Sequence, residues 1–302
     1  MNSTDALGGY PDHLDPISPH TGPFPHSPFI GAVHRRLAPK SSELLVEQTT
    51  EGAVALKVDQ GIVRFAAEEY VTDYHSPLGP DGTGALAKAI ASAEASAFDF
   101  DSLPIETKDA VLEVLNETSA ASTVEIHAAT GVLSLPPSFD DWLASIGKKE
   151  RHETRRKRRK LVNEFGDFEI VSEGADGVDA FCTLHRTAAG DKGGFMTDTR
   201  QAYFTDLVTH AGAVIHNLVC DGRTLASAFG FETADAYYFY NSAFDADVRQ
   251  VSPGAVLLGA LIEGQIERGA TVFDFLKGAE TYKYRHGAQP RDLYRVSGAF
   301  RD

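Results

Sequence analysis

A chain of 302 residues is long enough for one large core or two modest domains, and 42% hydrophobic with 24% charged residues is the balance of a soluble globular protein. A formal charge of −15 argues against general affinity for nucleic acid or an anionic membrane. Cys182 and Cys220 lack metal-ligand spacing and imply no disulfide framework, and neither a membrane span nor a signal peptide is legible, so a reducing, cytoplasmic location is expected.

Residues 1–27 hold Pro11, Pro16, Pro19, Pro23 and Pro25 and few large apolar side chains, the composition of a disordered or loosely wrapped arm. His13, His20 and His26 are irregularly spaced, so no metal site is expected there. A short helix is expected over 29–37. Strands over 44–48, 52–58 and 62–65, the last two joined by Asp59-Gln60-Gly61, make a small antiparallel meander. A further short strand over 69–74 ends at His75-Ser76-Pro77. A helix over 86–97, a strand over 98–101, an amphipathic helix over 106–116 and a strand over 124–129 complete an N-terminal domain, 28–137, of α/β or α+β class. Leu135-Pro136-Pro137 marks the boundary of a C-terminal domain, 138–302.

Ser138 is placed to cap a helix over 139–146, with Asp140 and Asp141 in its first turn. The segment 148–160 follows, with nine basic and two acidic residues, so the rest of the chain sums to −22. Leu161 and Phe165 continue its helical frame. A strand is expected over 168–172, helices over 178–189 and 203–211, and a loop at Lys192-Gly193-Gly194-Phe195. Strands over 213–219 and 224–231 pair around Asp221-Gly222, a tight-turn signal, and a third strand over 236–241 follows Thr233-Ala234-Asp235. After an Asp- and Ala-rich turn come an apolar helix over 255–267, stopped at Gly269, a strand over 272–276 ending in Lys277-Gly278, and a last strand over 291–296.

The turn Arg249-x-x-Ser252-x-Gly254 joins a strand to a helix. A helix N-terminus presents unpaired N–H groups and the positive end of its dipole. Ser and Gly keep the turn small, Pro253 fits the first helical position, and Arg249 can grip a phosphate with two hydrogen bonds. Residue types and spacing fit an anion site, and they fit an ordinary strand-to-helix turn as well.

The turn resembles the pyrophosphate loop of Gcn5-related N-acetyltransferases (GNAT), Gln/Arg-x-x-Gly-x-Gly/Ala, with Ser252 in place of the first Gly. More specifically, 139–300 resembles acetyltransferases of the CelD/BcsL type, relatives of the Fem aminoacyltransferases. The resemblance rests on Ala243-Phe244-Asp245, Ser252-Pro253-Gly254 and the run Phe273-Asp274-Phe275-Leu276-Lys277-Gly278-Ala279-Glu280-Thr281-Tyr282-Lys283. It also rests on Trp142 with the basic helix, Lys192 to Phe195, and Asp221-Gly222-Arg223. The first half matches more weakly, at Asp73-Tyr74.

The resemblance implies a mixed, mostly antiparallel sheet flanked by helices, in a tandem of two GNAT-like halves with a degenerate first half. It implies an acyl-CoA donor, such as acetyl-CoA, and an amine acceptor, with no metal. The donor's pyrophosphate would lie on Arg249, Gln250, Val251, Ser252, Pro253, Gly254 and Ala255, and its pantetheine along the strand ending at Phe244. An amine attacking a thioester needs a base, oxyanion donors and an acid for the thiolate. Asp274 is the candidate base or amine anchor, Lys283 a candidate for the phosphate or oxyanion, and Tyr240 a candidate acid, with Tyr284 a further one. Asp73, Tyr74 and Glu280 are candidate acceptor contacts. His216 and His286 could be bases, but a strand histidine among apolar neighbours fits a core position equally. Two other functions stay open: a Fem-type transferase that takes aminoacyl-tRNA, and a non-catalytic partner in polysaccharide assembly. Whether the chain is a monomer or a homodimer is also open.

Overall fold

The computed structural model describes residues 7–187 and 194–301. The chain divides into two compact units, Met1–Thr130 with Arg291–Asp302, and Gly131–Pro290. The division therefore falls inside a strand, five residues before the Pro136-Pro137 pair, and the end of the chain belongs to the first unit.

The first unit contains α1 (Ser27–Arg36), β1 (Glu43–Gln48), β2 (Ala53–Asp59), β3 (Ile62–Phe65), α2 (Gly82–Ser92), β4 (Ala97–Leu103), α3 (Ile105–Thr118), the first part of β5 (Ser119–Ser134) and most of β11 (Gln289–Phe300). Its sheet runs β1-β2-β3-β4-β11-β5. The first three strands are antiparallel, and β4 returns parallel to β3. The meander turns where expected, with Gln60 and Gly61 both at positive φ (52° and 73°), as a tight hairpin turn requires. Leu56, Val63, Phe98 and Phe100 of the sheet pack with Leu86 of α2 and Val111 of α3.

The proline-rich start is wrapped on this unit. Leu7 and Tyr10 are buried with Ile30, Ala55 and Leu78, and the Phe24 ring meets Phe29 edge-on at 4.8 Å. Ser18 Oγ lies 2.7 Å from Thr107 Oγ1. Proline interrupts regular structure here, leaving one isolated bridge from Pro16 to Leu78, but it does not exclude burial. The strand expected over 69–74 is a turn instead, in which Val71 and Thr72 both donate to the Glu68 carbonyl. Its alternating pattern is overridden by the inward pull of the fully buried Tyr74.

The second unit contains the end of β5, α4 (Phe139–Ser145), α5 (Lys148–Phe165), β6 (Glu169–Glu173), α6 (Val178–Arg186), α7 (Asp198–His210), β7 (Ala213–Cys220), β8 (Arg223–Glu232), β9 (Ala236–Phe244), α8 (Pro253–Glu267), β10 (Val272–Lys277) and α9 (Thr281–Arg285). Its strand order is β5-β10-β9-β8-β7-β6. Again three antiparallel strands (β7, β8, β9) precede a helix and a strand parallel to the third. The two units thus repeat one order of elements, and Phe98-Asp99-Phe100 on β4 recurs as Phe273-Asp274-Phe275 on β10. Ser138 caps α4, its Oγ accepting the Asp141 N–H at 3.1 Å, and Asp221 and Gly222 form the expected turn at φ 46° and 72°. Trp142, Leu161, Tyr237, Leu257, Leu261, Phe273 and Phe275 make the core under α8. Helix α9 was not anticipated, and the ends of the expected 178–189 helix and of the 192–195 loop, including Lys192 and Gly193, lie outside the described residues.

Candidate active site

Strand β10 pairs with β9 at three positions only, Val272↔Ala236, Phe273↔Tyr237 and Asp274↔Tyr238. Strand β9 runs on to Phe244, so from Phe239 onward it has no β10 ladder on that side. On its other side the register skips one residue, with Phe229 opposite Asn241 and Gly230 opposite Phe239. Tyr240 is therefore the extra residue of a β-bulge, which bends a strand and re-aims its side chain.

The divergence of β10 has a local cause. Leu276 takes a left-handed backbone (φ 60°), a conformation that costs a non-glycine residue about 1 kcal/mol or more. Asp274, fully buried, holds it there by accepting the Leu276 N–H at 2.7 Å. From α9 the Lys283 ammonium donates to the carbonyls of Leu276 (3.0 Å), Lys277 (2.6 Å) and Gly278 (3.1 Å) and pairs with Glu280 at 2.9 Å. An ammonium has three N–H groups. In this structure Lys283 has none left for a phosphate or an oxyanion, which corrects the role expected of it. It ties the end of β10 to α9.

Register places Asp274 and Tyr238 on the sheet face opposite the core under α8, to which Tyr237 and Phe273 belong. The half-buried Tyr240 is on the Asp274 face too. Its hydroxyl lies 3.0 Å from that of Tyr203 on α7, and its ring meets Phe204, Phe229 and Phe231. Tyr203 was missed by the sequence, where it merely opens an expected helix. Nothing local couples positions 203 and 240.

Strand β9 leads into a 3-10 turn, Ala246–Val251, capped by Asp245, whose carboxylate accepts the Asp247 N–H at 3.0 Å and binds Arg223. Val248 and Val251 anchor the turn in the core, so Val251 can offer a ligand its backbone only. Ser252 is left-handed (φ 55°, ψ 52°), and Pro253 opens α8. The N–H groups of Ala255 and Val256 go to the Ser252 carbonyl. The Gly254 N–H has no partner among the described residues. A Cβ on Gly254 would stand 3.4 Å from the ring of Phe244, which is 43% exposed and walls the turn. Arg249 is exposed, and its guanidinium has no partner among the described residues. Gln250 is engaged with α5 instead: its carbonyl accepts from Lys160 at 2.7 Å and its amide donates to Glu164 at 2.9 Å.

Other expected residues are placed elsewhere. Asp73 and Tyr74 belong to the first unit. Tyr74 is wholly buried, donates to Thr130 at 2.7 Å and lies under the Arg291 guanidinium. Asp73 is itself only 8% exposed. Burial raises the Glu280 pKa, but the Lys283 ammonium and a backbone N–H more than offset that and hold the carboxyl below its usual value. Tyr284 lies on the short α9. His286 stacks on Trp142, and burial lowers its pKa, favouring the neutral imidazole. His216 sits between Ser172 (2.9 Å) and Glu232 (3.4 Å), a link between strands. Burial pushes the Cys182 thiol up to about 11, far from a reactive thiolate.

In the first unit, Glu69, Asp101 and His127 bring possible metal-ligand atoms within 4.8 Å of one another. The His127 Nε2 accepts the Ser102 N–H, its Nδ1 faces Glu69 at 3.6 Å, and Arg295 also binds Glu69.

Residues 148–284 match the acetyltransferase (GNAT) domain family. The match lies within the second unit and runs from the start of α5 to the fourth residue of α9. The whole fold is similar to a conserved protein of unknown function from Bacteroides thetaiotaomicron (13% identity, 99% of this chain and 98% of that one, TM-score 0.64). It is similar also to FemX (13%, 88% and 90%, 0.62) and to L-PGS from Bacillus licheniformis (10%, 99% and 92%, 0.62). At such identities these likenesses speak for the fold alone. No curated protein matches the chain.

Proposed function

We propose that the second unit is an N-acyltransferase of the CelD/BcsL type that moves an acyl group, such as acetyl, from acyl-CoA to an amine of a small-molecule, sugar or cell-envelope precursor in the cytoplasm. The observation that supports this reading is the stretch of β9 from Phe239 to Phe244 beyond its ladder with β10, which leads through the 3-10 turn Ala246–Val251 to the N-terminus of α8. An extended pantetheine arm can hydrogen-bond along such an edge as an added strand would, and its pyrophosphate then reaches the Gly254 N–H and Arg249. In the reaction the amine nitrogen bonds to the thioester carbonyl carbon as the C–S bond breaks. Asp274, beside the point where the strands part, takes the ammonium proton or holds the amine. Tyr240, paired with Tyr203, gives a proton to the departing thiolate. Lys283 and Glu280 position the β10 end rather than touch the reactants. The first unit is a degenerate copy of the same half.

The test is a thermal-shift titration with acetyl-CoA and longer acyl-CoAs, followed by CoA release with candidate amines. Acyl-CoA is expected to raise the melting temperature, with Arg249→Ala weakening the effect and Tyr240→Phe lowering kcat by about a hundredfold with KM little changed. No shift with any acyl-CoA would reject the reading.

A further inference from the structure

Asn241 takes no part in the chemistry above. It stands directly opposite Phe229 in the β8–β9 ladder. Residues directly opposite in an antiparallel pair share a face, and the Phe229 ring meets that of Tyr240 at 6.1 Å. Tyr240 and Asn241, consecutive in the chain, therefore lie on one face, which strict alternation forbids and the bulge at Tyr240 allows. Tyr203, Phe204, Phe229, Phe231 and Tyr238 are buried, whereas Tyr240 and Asn241 are half-buried. The Asn241 side-chain amide has no hydrogen-bond partner among the described residues, so a half-buried donor and acceptor stand unmet.

Side chains leave a strand roughly perpendicular to the sheet, whereas a donor arm added along β9 lies in its plane. Asn241 thus addresses a molecule that comes over the face, the side from which Asp274 would meet the amine. An amide offers N–H donors and a carbonyl acceptor, which matches a hydroxyl, itself a donor and an acceptor. It offers no charge to a carboxylate or a phosphate. The arginines of the two helices on this face are engaged elsewhere, Arg186 with Asp198 and Gln201, and Arg200 with the Phe195 carbonyl and ring.

We propose that Asn241 is the acceptor-selecting contact of the transferase, and that the acceptor is an amine bearing neutral hydroxyl groups, of the amino-sugar class, rather than an alkylamine or an amine that carries a phosphate. The proposal rests on the acyl-CoA reading above. The bond-making step is unchanged: the amide holds an acceptor hydroxyl while the amine nitrogen attacks the thioester.

The test is CoA release from acetyl-CoA by the full chain with glucosamine, glucosamine 6-phosphate and cyclohexylamine, for the wild type, Asn241→Leu and Asn241→Ala, with acetyl-CoA binding measured separately by calorimetry. The wild type is expected to use glucosamine about tenfold better in kcat/KM than glucosamine 6-phosphate and to use cyclohexylamine poorly. Each variant should raise the KM for glucosamine by about tenfold, the effect of one neutral hydrogen bond. It should leave kcat, cyclohexylamine turnover, acetyl-CoA binding and the melting temperature as they are. An equal loss of glucosamine and cyclohexylamine turnover, a weaker hold on acetyl-CoA, or a melting temperature well below the wild type in both variants would make Asn241 a positioning, donor or structural residue and overturn the proposal. A wild type that binds acetyl-CoA but prefers glucosamine 6-phosphate or cyclohexylamine, or turns over none of the three, would overturn the acceptor class and leave the donor assignment intact. Failure to bind acetyl-CoA would overturn the donor assignment and the proposal with it.

Discussion

Replacing Lys283 by Met separates a strut from a catalytic group. The side chain is 2% exposed, and its ammonium serves three carbonyls and the Glu280 carboxylate. Methionine keeps the stem and its packing beside Gly131, where the Lys283 Cβ and Cδ stand 3.3 Å from the position of an added Cβ. It removes every donor. A hydrogen bond from a charged group contributes about 1.5–3 kcal/mol, and breaking a buried charged contact costs about 3–5 kcal/mol. Two of the three carbonyls are only partly buried and can turn to water, and the cost of desolvating the ammonium disappears. A loss of about 3 kcal/mol follows, which lowers the melting temperature by roughly 6–12 °C in a unit of this size. Glu280 is largely exposed, so Glu280→Gln should cost under about 1 kcal/mol, as surface pairs do.

The assay is urea and thermal unfolding of Lys283→Met, Glu280→Gln and the wild type, with acyl-CoA titrated into each. With the end of β10 no longer tied to α9, Lys283→Met should also bind acyl-CoA more weakly. A variant that melts within about 2 °C of the wild type yet loses turnover by a hundredfold or so would refute the reasoning and return Lys283 to the chemistry.

Three further outcomes follow from buried contacts of the second unit. The Tyr237 hydroxyl is buried with no hydrogen-bond partner, and Tyr237→Phe is expected to stabilise by about 1 kcal/mol in urea unfolding; destabilisation would show that the hydroxyl is bound after all. A Cβ at Gly230 would lie 2.4 Å from Tyr237 Oη, 2.5 Å from Cζ and 2.7 Å from the Tyr238 carbonyl, so Gly230→Ala should cost about 2–3 kcal/mol even combined with Tyr237→Phe, since the Cζ and backbone clashes persist. The neighbouring His216, whose Nε2 stands 3.4 Å away, and with it the Gln265 amide hold the Glu232 pKa at about 2, below its ordinary 4.5, against an opposing push from burial. The stability it contributes is therefore fully present above about pH 4.5 and lost as pH falls through about 2, so the difference between wild type and Glu232→Gln should shrink over that window; a difference constant from pH 6 to 2 would refute the pairing.

What the sequence made legible was local. Asp221-Gly222 and Asp59-Gln60-Gly61 form the turns that their φ requirements dictate, and the 249–254 turn with its Pro253 start is where the residue types placed it. The alternation around Phe273, Asp274 and Phe275 correctly put the acid on the face opposite the rings. What escaped was non-local. Nothing in a strand pattern says that β9 and β10 part after three pairs, because the cause lies in Leu276 and in a lysine seven residues downstream. The Tyr203–Tyr240 contact joins elements 37 residues apart. Lys283 looked functional because charged residues in a motif usually face solvent or ligand, whereas this one is buried and fully bonded. The proline-rich start misled for the opposite reason, since composition reports on regular structure and not on the burial of a few anchors such as Tyr10 and Phe24.

The two units share an order of elements, but they differ at the helix N-terminus that would have to hold a phosphate. In the first unit the Asp81 N–H donates to Glu51 and that of Gly82 to Gly79. The Asp81 carboxylate lies over Gly84, where an added Cβ would meet its Oδ1 at 2.2 Å, and the Glu51-Gly52 turn is pressed against the Asp81 backbone, 2.3 Å from the position of a Cβ on Gly52. The chain thus fills the anion position of α2 with its own carboxylate and covers it with its own backbone. A phosphate arriving there would meet like charge. At α8 no acid stands in the first turn, Gly254 keeps an open N–H, and Arg249 supplies a cation. Duplication of the fold therefore need not duplicate the donor site, and calorimetry should count one acyl-CoA per chain. Two equivalent sites would contradict the closure of α2, whereas one site lost in Arg249→Ala would locate it on α8.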